Sequence, residues 1–470
     1  MILSCRSALY QNAPIGLQEQ LLSVQASLRR LVTGRRALHR VAGEISASQW
    51  LPREAWEAWQ LDRMRQLALH AAQHVPYYQA LFKRLDIDPA RWRSLADVRE
   101  VPVLTKPEVI EAGKAMLASN APWLRFKGST SGTTGRAMPG WRDRTSIAFE
   151  QAFVDRQAAW AGYRPGDRRA WLRGDPIIPR GQTDGPLVRL NRHDNMLMLS
   201  SYHLNRDNGM AYLEALADFD PVMLQAYPSS VSYLARLLED QDGRYRGRAL
   251  KGIVTSSETL TPEDRRIISE RFGCPVFDWY GAFERVAAIG TCEHGHYHVM
   301  EDYGLVEFED NGDGTANLIG TGFGNQCMPL LRYRADDMVV LADPDYQCPC
   351  GRSFRVVDRV LGRVDDAIRT PDGTHVVMLD WIFAGLPGLI EAQVVQERLD
   401  FVRIRIVAGP DFTARTGQVL LARARERLGK AVRIELERVP SIERTRNGKF
   451  RQIVSHLKME SQHMEAPWQV

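Results

Sequence analysis

Nine residues, Lys127-Gly-Ser-Thr-Ser-Gly-Thr-Thr-Gly135, hold three glycines and five hydroxyl side chains. Glycines let a backbone turn tightly and bring its N–H groups against an anion, and hydroxyls add donors that can follow a moving phosphate. This is not a Walker A loop, which needs Lys-Ser/Thr directly after its last glycine; Arg136-Ala137 follows here. On composition alone a flexible surface loop fits the same residues equally well.

Cys292, His298, Cys348 and Cys350 form a second constellation. Two cysteines one residue apart can converge on one soft cation, and a Cys-x5-His pair on a neighbouring hairpin would complete the tetrahedral Cys3His set of structural zinc. The usual zinc-finger signature has a wider Cys-x2-Cys, so buried ordinary cysteines with solvent histidines stay open on spacing alone. His294 and His296 compete with His298, because all three share one face of an extended strand. Cys5, Cys274 and Cys327 have no partner in sequence.

The elements that must position these residues come from a chain of 470 residues, enough for two to three domains at about 150 residues each. Its 44% apolar and 25% charged content is that of a globular protein. The 61 basic and 57 acidic side chains leave a net charge of +4, too small to argue for nucleic acid yet no obstacle to an anionic cofactor. No run of some 18 apolar residues calls for a membrane span. The start, Met1-Ile-Leu-Ser-Cys-Arg6, is unlike a signal peptide, and six cysteines make no disulfide scaffold, so the reducing cytoplasm is the expected compartment.

From Pro14 to His74 the pattern is helical, with Leu21, Val24, Leu28 and Leu31 three and four apart. The basic stretch Arg29 to Arg40 fits a membrane surface or an acidic partner, and equally a solvated helix face. From Pro122 short β-rich runs alternate with helical ones: Val222 to Tyr227 before Ser229 to Leu238, and Gly252 to Thr255 before Pro262 to Phe272. Such alternation implies crossover connections and a largely parallel sheet. Closely spaced strands after Tyr297 (Gly304 to Glu309, Ala316 to Ile319, Met338 to Leu341) predict antiparallel pairing. The last hundred residues read as α+β, with Val402 to Val407, a helix over Phe412 to Leu428, and Val432 to Glu437.

Ser129-Thr-Ser-Gly-Thr-Thr-Gly135 resembles the phosphate-binding motif of the adenylate-forming (ANL) superfamily of acyl-CoA synthetases. Further motifs follow in that family's order. Ser257-Glu258 stands where a strand end would contact adenine, and Tyr280-Gly-Ala-Phe-Glu284 matches Tyr-Gly-x-x-Glu. Arg332-Tyr-Arg-Ala-Asp-Asp337 is similar to Arg-Tyr-Arg-Thr-Gly-Asp, Gly362-Arg-Val-Asp-Asp366 to the domain hinge, and Gly448-Lys449 to the C-terminal catalytic lysine. Ser201-Tyr-His-Leu204, Tyr227-Pro-Ser-Ser230, Cys292 to His298 and Cys348-Pro-Cys-Gly-Arg352 resemble the phenylacetate-CoA ligase and CapK branch, which often carries a zinc site. Coverage runs from about Trp50 to the C-terminus.

The resemblance implies an α/β fold: a large N-terminal adenylate-forming domain (1–361) and a mobile smaller C-terminal α+β lid (362–470), with a helical segment over 1–100 and a zinc-binding insert near 290–352. It implies that Ser129, Thr130, Ser131, Gly132, Thr133, Thr134 and Gly135 hold ATP phosphates, and that Tyr280 and Gly281 pack on adenine beside Ser257 and Glu258. Glu284 would hold Mg²⁺, Asp337 the ribose hydroxyls, and Arg363 the nucleotide; Lys449, with Thr130 and Glu284, would act on the acyl-phosphate, and Asp365 would be the hinge. Tyr227, Pro228, Ser229, Asp278 and Trp279 are the candidate acid pocket. Two departures stand out: Arg136 where many relatives carry Lys, and Ala335-Asp336 for Thr-Gly, which sets a second carboxylate beside the ribose site.

The implied reaction activates a carboxylic acid, aryl or otherwise small, as an acyl-adenylate, then transfers it to coenzyme A. ATP, Mg²⁺, coenzyme A and structural zinc are the expected cofactors. A small acid is the partner, with no nucleic acid and no membrane span, and with a homodimer open to it. An amine or a larger biosynthetic acceptor is the alternative second step. A scaffold that lost catalysis is opposed by the joint presence of Glu284, Asp337 and Lys449.

Overall fold

The computed structural model describes residues 5, 7–129, 137–179, 181–182, 184–363, 368–372, 375–376, 379–445 and 447–457. The chain divides into two compact units, 1–362 with 446–449, and 363–445 with 450–470. Residues 447–449, expected in the lid, therefore cluster with the larger unit.

Helices open the first unit: α1 (Ala8–Gln11), α2 (Ile15–Thr33), α3 (Arg35–Ser48), α4 (Arg53–His74) and α5 (Pro76–Leu85). On α4 the residues Trp56, Gln60, Met64, Leu67 and Ala71 recur every three to four positions and are buried. Met64, Leu67 and Ala71 anchor a core that also takes in Tyr78, Phe82, Met116 and Leu331. Pro76 at the first turn of α5 needs no N–H partner there, and Asp86 closes that helix in the left-handed region.

Helices α6 (Lys106–Ala112) and α7 (Arg144–Trp160) flank a hairpin of β1 (Phe126–Ser129) and β2 (Pro139–Arg142). A sheet of twelve strands follows. Its first members are β3 (Arg169–Arg173), β4 (Val188–Asn191), β5 (Met196–Ser200), β6 (Met223–Ala226), β7 (Gly252–Ser256) and β8 (Val276–Gly281). The helices α8 (Gly209–Phe219), α9 (Pro228–Asp240) and α10 (Pro262–Phe272) cross over between them. The remaining members are β9 (Ala288–Thr291), β10 (Tyr297–Val299), β11 (Gly304–Asp310), β12 (Thr315–Gly322), β13 (Tyr333–Leu341) and β14 (Val356–Arg363). The order is β11-β12-β13-β14-β10-β9-β8-β7-β6-β3-β5-β4.

Strands β5, β3, β6, β7 and β8 run parallel. Antiparallel pairing takes over on one side from β9 and on the other at β4. Both regimes follow the connections: helical crossovers give parallel neighbours, short turns antiparallel ones. The α/β class and the parallel-to-antiparallel change read from the sequence are what the fold contains.

The second unit has a short β15 (Ile368–Arg369) and β16 (His375–Val376), α11 (Asp380–Phe383), β17 (Leu389–Arg398), β18 (Phe401–Ala408), α12 (Ala414–Leu428), β19 (Arg433–Arg438) and β20 (Ile453–Ser455). A β17–β18 hairpin is extended by parallel β20 and β19 in the order β19-β18-β17-β20. Alternate residues Val402, Ile404 and Ile406 meet Leu420 and Ala424 of α12 in its core. Thr413 caps α12 by accepting from the Thr416 N–H. Among the described residues no helix is long and apolar enough to cross a membrane.

Candidate functional site

In an open parallel sheet, ligands bind beyond the carboxyl ends of the strands, where backbone groups and helix N-termini point outward. The carboxyl ends of β3, β5, β6, β7 and β8 deliver Arg173-Gly174, Ser201-Tyr202, Tyr227-Pro228-Ser229, Ser257-Glu258 and Tyr280-Gly281. Polar contacts knit these ends together. Arg173 donates to Ser257 Oγ at 2.6 Å and stacks its guanidinium on the rings of Trp171 and Tyr227, 5.0 and 5.1 Å away. Ser257 holds φ at +73°, a strained conformation for a serine that marks functional strand ends. The Ser229 N–H, in the first turn of α9, donates to Glu258 Oε2 at 3.1 Å, where the helix dipole favours a carboxylate. Glu258, expected against adenine, thus also serves as a helix cap. Ser229 Oγ is buried without a hydrogen-bond partner among the described residues.

The segment Asn447-Gly448 lies on the same ground. Tyr227 Oη donates to the Asn447 carbonyl at 3.1 Å and Ser201 Oγ to that of Gly448 at 3.4 Å. Burial pushes the Tyr227 phenol above its ordinary value, so it stays a donor. Gly174 is required by this approach: a Cβ there would meet the Asn447 oxygen at 1.8 Å. Gly448, at φ +73°, turns the chain beside Ser201 and Tyr202, which puts Lys449 at the strand ends.

Tyr280 Oη donates to Asp337 Oδ2 at 2.8 Å, joining the adenine and ribose candidates across 57 positions of sequence. The pleat of β13 separates Asp336, which is exposed, from half-buried Asp337. The second carboxylate expected beside the ribose therefore faces solvent. Arg332 of the same motif is structural, paired through two nitrogens with Glu307 at 2.8 and 3.0 Å.

Residues Thr130 to Gly135, with Arg136, lie outside the described residues, as does Asp365. Arg363 ends β14, and its side chain is outside the description as well. The neighbours of the loop are defined. Ser129 ends β1 opposite Pro139 of β2, so the hairpin holds both stems. Gly128 and Gly140 sit against the Phe283 ring, where a Cβ would come to 3.0 and 2.7 Å. Arg142 stacks on the same ring at 4.2 Å, and burial together with neighbouring Arg285 pulls its guanidinium down to about 10. Phe283 thereby seats the loop stems beside Glu284, whose charge reaches Arg142.

Two pocket candidates are absorbed by the scaffold. Asp278 is buried, accepting from Thr255 Oγ1 at 2.6 Å and Tyr297 Oη at 2.9 Å, and burial pushes its carboxyl up. A carboxylate engaged on both oxygens inside the sheet does not line an open pocket. Trp279, on the opposite face of β8, packs into a core with Phe153, Met300 and Phe354. Tyr227 and Ser229 stay at the crevice, with Pro228 starting α9 between them. Arg173 is the residue that sequence reading missed; its signal was a basic residue directly before Gly174 at a strand end.

The Cys/His residues gather at a distance in sequence from this crevice. Ligand atoms of Cys292, His298, Cys348 and Cys350 lie within 4.8 Å of one another. Cys292 Sγ is 3.6 Å from Cys348 Sγ, and Cys350 Sγ is 3.4 Å from His298 Nε2. A tetrahedron with zinc–sulfur bonds of about 2.3 Å has edges of about 3.8 Å, so the donor set fits zinc. Hydrogen bonding to the Cys292 thiol draws Cys350 well below the usual thiol range and raises Cys292 in turn. A dication would favour all three as thiolates. His294 is exposed; His296 reaches the cluster's edge, with Nδ1 3.4 Å from Cys348 Sγ and Nε2 paired with Tyr346 Oη at 3.0 Å, while His298 is the histidine of the set whose ligand atoms lie within 4.8 Å of one another.

The family profile described as the CapK C-terminal domain matches residues 368–456. The chain is 25% identical to the protein CapK of Staphylococcus aureus over 389 residues, 81% of this chain and 85% of CapK. It is 24% identical to phenylacetate-coenzyme A ligase of Thermus thermophilus over 79% of this chain and 86% of that one. A third relative is the Escherichia coli phenylacetate-coenzyme A ligase, 26% identical over 66% of this chain and 72% of its own. Among solved structures, 2-hydroxyisobutyryl-CoA ligase in the postadenylation state superposes with a TM-score of 0.66 at 20% identity, covering 86% of this chain and 90% of that one. The fold is that of adenylate-forming CoA ligases, and the resemblance to the CapK and phenylacetate-CoA ligase branch read from the motifs is borne out.

Proposed function

We propose that this chain, a relative of CapK and the phenylacetate-CoA ligases, is an AMP-forming acid–thiol ligase. A carboxylate oxygen attacks the α-phosphorus of ATP and pyrophosphate leaves; the thiol sulfur of coenzyme A then attacks the acyl carbon and AMP leaves. The observation that carries this reading is the convergence of Tyr280, Asp337, Ser257, Tyr227 and the Gly448-Lys449 turn at the carboxyl ends of five parallel strands.

Charge develops on phosphate oxygens in the first step, so catalysis calls for positioned donors and cations rather than a nucleophilic side chain. In this reading Lys449 meets the acyl-phosphate, Asp337 holds the ribose with Tyr280 fixing its carboxylate, and the hydroxyl loop anchored by Phe283 receives the β- and γ-phosphates. Glu284 would hold Mg²⁺, which supplies neutralising charge when bound. Tyr227 and Ser229, whose hydroxyl has no partner among the described residues, line the acid's side of the crevice. Asp365 is the pivot that lets Lys449 leave before the thiol enters. Cys292, His298, Cys348 and Cys350 would hold one zinc ion in a closed, purely structural site. Dependence on ATP and coenzyme A makes the cytoplasm its place of action.

Pyrophosphate release over a panel of aryl and short aliphatic acids, with and without coenzyme A, tests the reading. Release that depends on an acid, followed by a thioester only when coenzyme A is present, supports it. Release with a product on an amine instead would replace coenzyme A as acceptor. No acid-dependent release with any member would overturn the assignment.

A further inference from the structure

Strand β3 ends on Arg173, and the fold orients that one side chain with two aromatic rings. Its guanidinium lies over Trp171 and Tyr227, 5.0 and 5.1 Å from the ring centroids. Both rings are themselves pinned: Trp171 Nε1 donates to Asp175 Oδ2 at 2.5 Å, and Tyr227 Oη to the Asn447 carbonyl at 3.1 Å. Arg173 Nη2 donates to Ser257 Oγ at 2.6 Å. Stacking takes the face of a guanidinium and leaves its N–H edge for hydrogen bonds. Among the described residues that edge pairs with no carboxylate. Asp175 and Glu258, the acids of neighbouring strand ends, are engaged by Trp171 and by the first turn of α9.

The walls around this edge are polar. Ser201, Tyr202, Tyr227, Ser229 and Ser257 each bring a hydroxyl to the strand ends, and Pro228 is the one aliphatic side chain those ends deliver. Gln225 of β6 pairs in register with Trp171, and the pleat puts it on the same face of the sheet as extended Tyr227. Gln225 is 7% exposed, and its Oε1 has no partner among the described residues. A site for an apolar ring or chain is lined by hydrocarbon. This lining suits an occupant that itself carries charge and hydrogen-bonding groups.

We infer that Arg173 sets the specificity of the ligase, and that the acid is a dicarboxylic acid whose second carboxylate the guanidinium edge holds. The inference rests on the acid–thiol ligase reading and names its substrate class. An arginine edge matches a carboxylate through two parallel N–H···O bonds. The reacting carboxylate is the poorer match, because such pairing occupies both oxygens and one of them must attack phosphorus. That end already has a cation: a Cβ on Gly448 would lie 2.6 Å from the Gly174 Cα, so Lys449 follows directly at this strand end. A phosphate monoester would bring about two negative charges to a single guanidinium. The nucleotide candidates lie elsewhere. In the sheet order β8-β7-β6-β3, the ends carrying Tyr280 and Arg173 are about 14 Å apart at about 4.8 Å per strand.

Pyrophosphate release from the full chain with ATP and Mg²⁺ tests this on matched acids. Each diacid is set against the monoacid with a methyl in place of its second carboxylate: succinate against butyrate, glutarate against pentanoate, isophthalate against 3-methylbenzoate. At least one diacid should exceed its counterpart about tenfold or more in kcat/KM, and Arg173→Gln should bring that ratio to about one. Arg173→Lys should keep part of the preference, as a point charge without the fork, and Arg173→Glu should favour 4-aminobutyrate over butyrate. A wild-type preference for the methyl acids overturns the inference. So does a ratio that Arg173→Gln leaves unmoved, since a residue serving the fold or the phosphates lowers both acids alike. With pyrophosphate still released, either result leaves the ligase standing. Titration calorimetry of the diacids separates the remaining cases. Diacid binding lost in Arg173→Gln, with no pyrophosphate from any acid, would keep the anion site and refute the ligase. Neither binding nor release would remove both.

Discussion

The strand-end crevice and the Cys/His cluster spend polar groups in opposite ways. Around the cluster the donors face one another within 4.8 Å, and three of the four side chains are buried. At the crevice, Ser257 holds a strained backbone, Ser229 keeps a buried hydroxyl with no partner among the described residues, and Lys449 sits on a turn beside the strand ends. A closed set of ligands converts binding energy into folding energy. An open set tolerates strain, because the surrounding sheet over-determines it. The first arrangement predicts effects on stability without effects on turnover, and the second predicts the reverse.

The sharpest break in that contrast comes from Lys449→Ala. Pyrophosphate release should fall at least about a hundredfold, the loss typical of a preorganised charge, while thioester formation from pre-made adenylate is largely spared. Stopped-flow measurement of each half-reaction checks it; equal losses would deny Lys449 a role confined to adenylation. At the cluster, metal analysis should find close to one zinc per chain. Cys348→Ser should lower the melting temperature by at least about 5 °C while the KM for ATP is unchanged. A fully stable, metal-free preparation would remove the closed site and with it half of the comparison.

Smaller effects refine the crevice. Tyr280→Phe deletes the donor to Asp337 while keeping the ring, so the KM for ATP should rise about five- to tenfold, the value of one hydrogen bond to a charged group. A rise in the acid's KM instead would move Tyr280 to the other substrate. Ser229→Ala removes a hydroxyl with no partner among the described residues, so stability should shift by no more than about 0.5 kcal/mol. Calorimetry and the acid's KM separate the possibilities: a marked loss of stability would mean that the hydroxyl serves the fold.

Much of this site is legible in the amino-acid order because its motifs encode local backbone needs. Strand-then-helix alternation predicts the parallel core, and β6–α9 and β7–α10 fall where Val222–Leu238 and Gly252–Phe272 place them. Gly448 at a turn and the Tyr280-to-Glu284 motif carry their chemistry in a few adjacent residues. Asp278 escapes such reading for a physical reason: adjacency to Trp279 and Tyr280 says nothing of which face a side chain takes or what lies beneath it. Thr255 and Tyr297, from different strands, claim its carboxylate. Asp336 departs from expectation for the same reason, since the pleat alone sends it to solvent.

Residue type and short-range spacing by themselves determined the element sequence, the candidate cysteines of the cluster and the family resemblance, because each shows in residues within a turn or a strand, whereas His298 rather than His294 or His296 was decided by the fold. Only the tertiary structure decided which distant residues meet. It paired Tyr280 with Asp337, seated Phe283 on Gly128 and Gly140, brought Arg173 to Ser257, and put Asn447-Gly448 against Gly174. It also set Glu19 and Ser23 of α2 against the free edge of β4, leaving Leu17, Val24 and Leu28 exposed while Leu21 and Leu22 pack inward. A hydrophobic period fixes the existence of a face, whereas the unsatisfied groups across from it fix which face is buried.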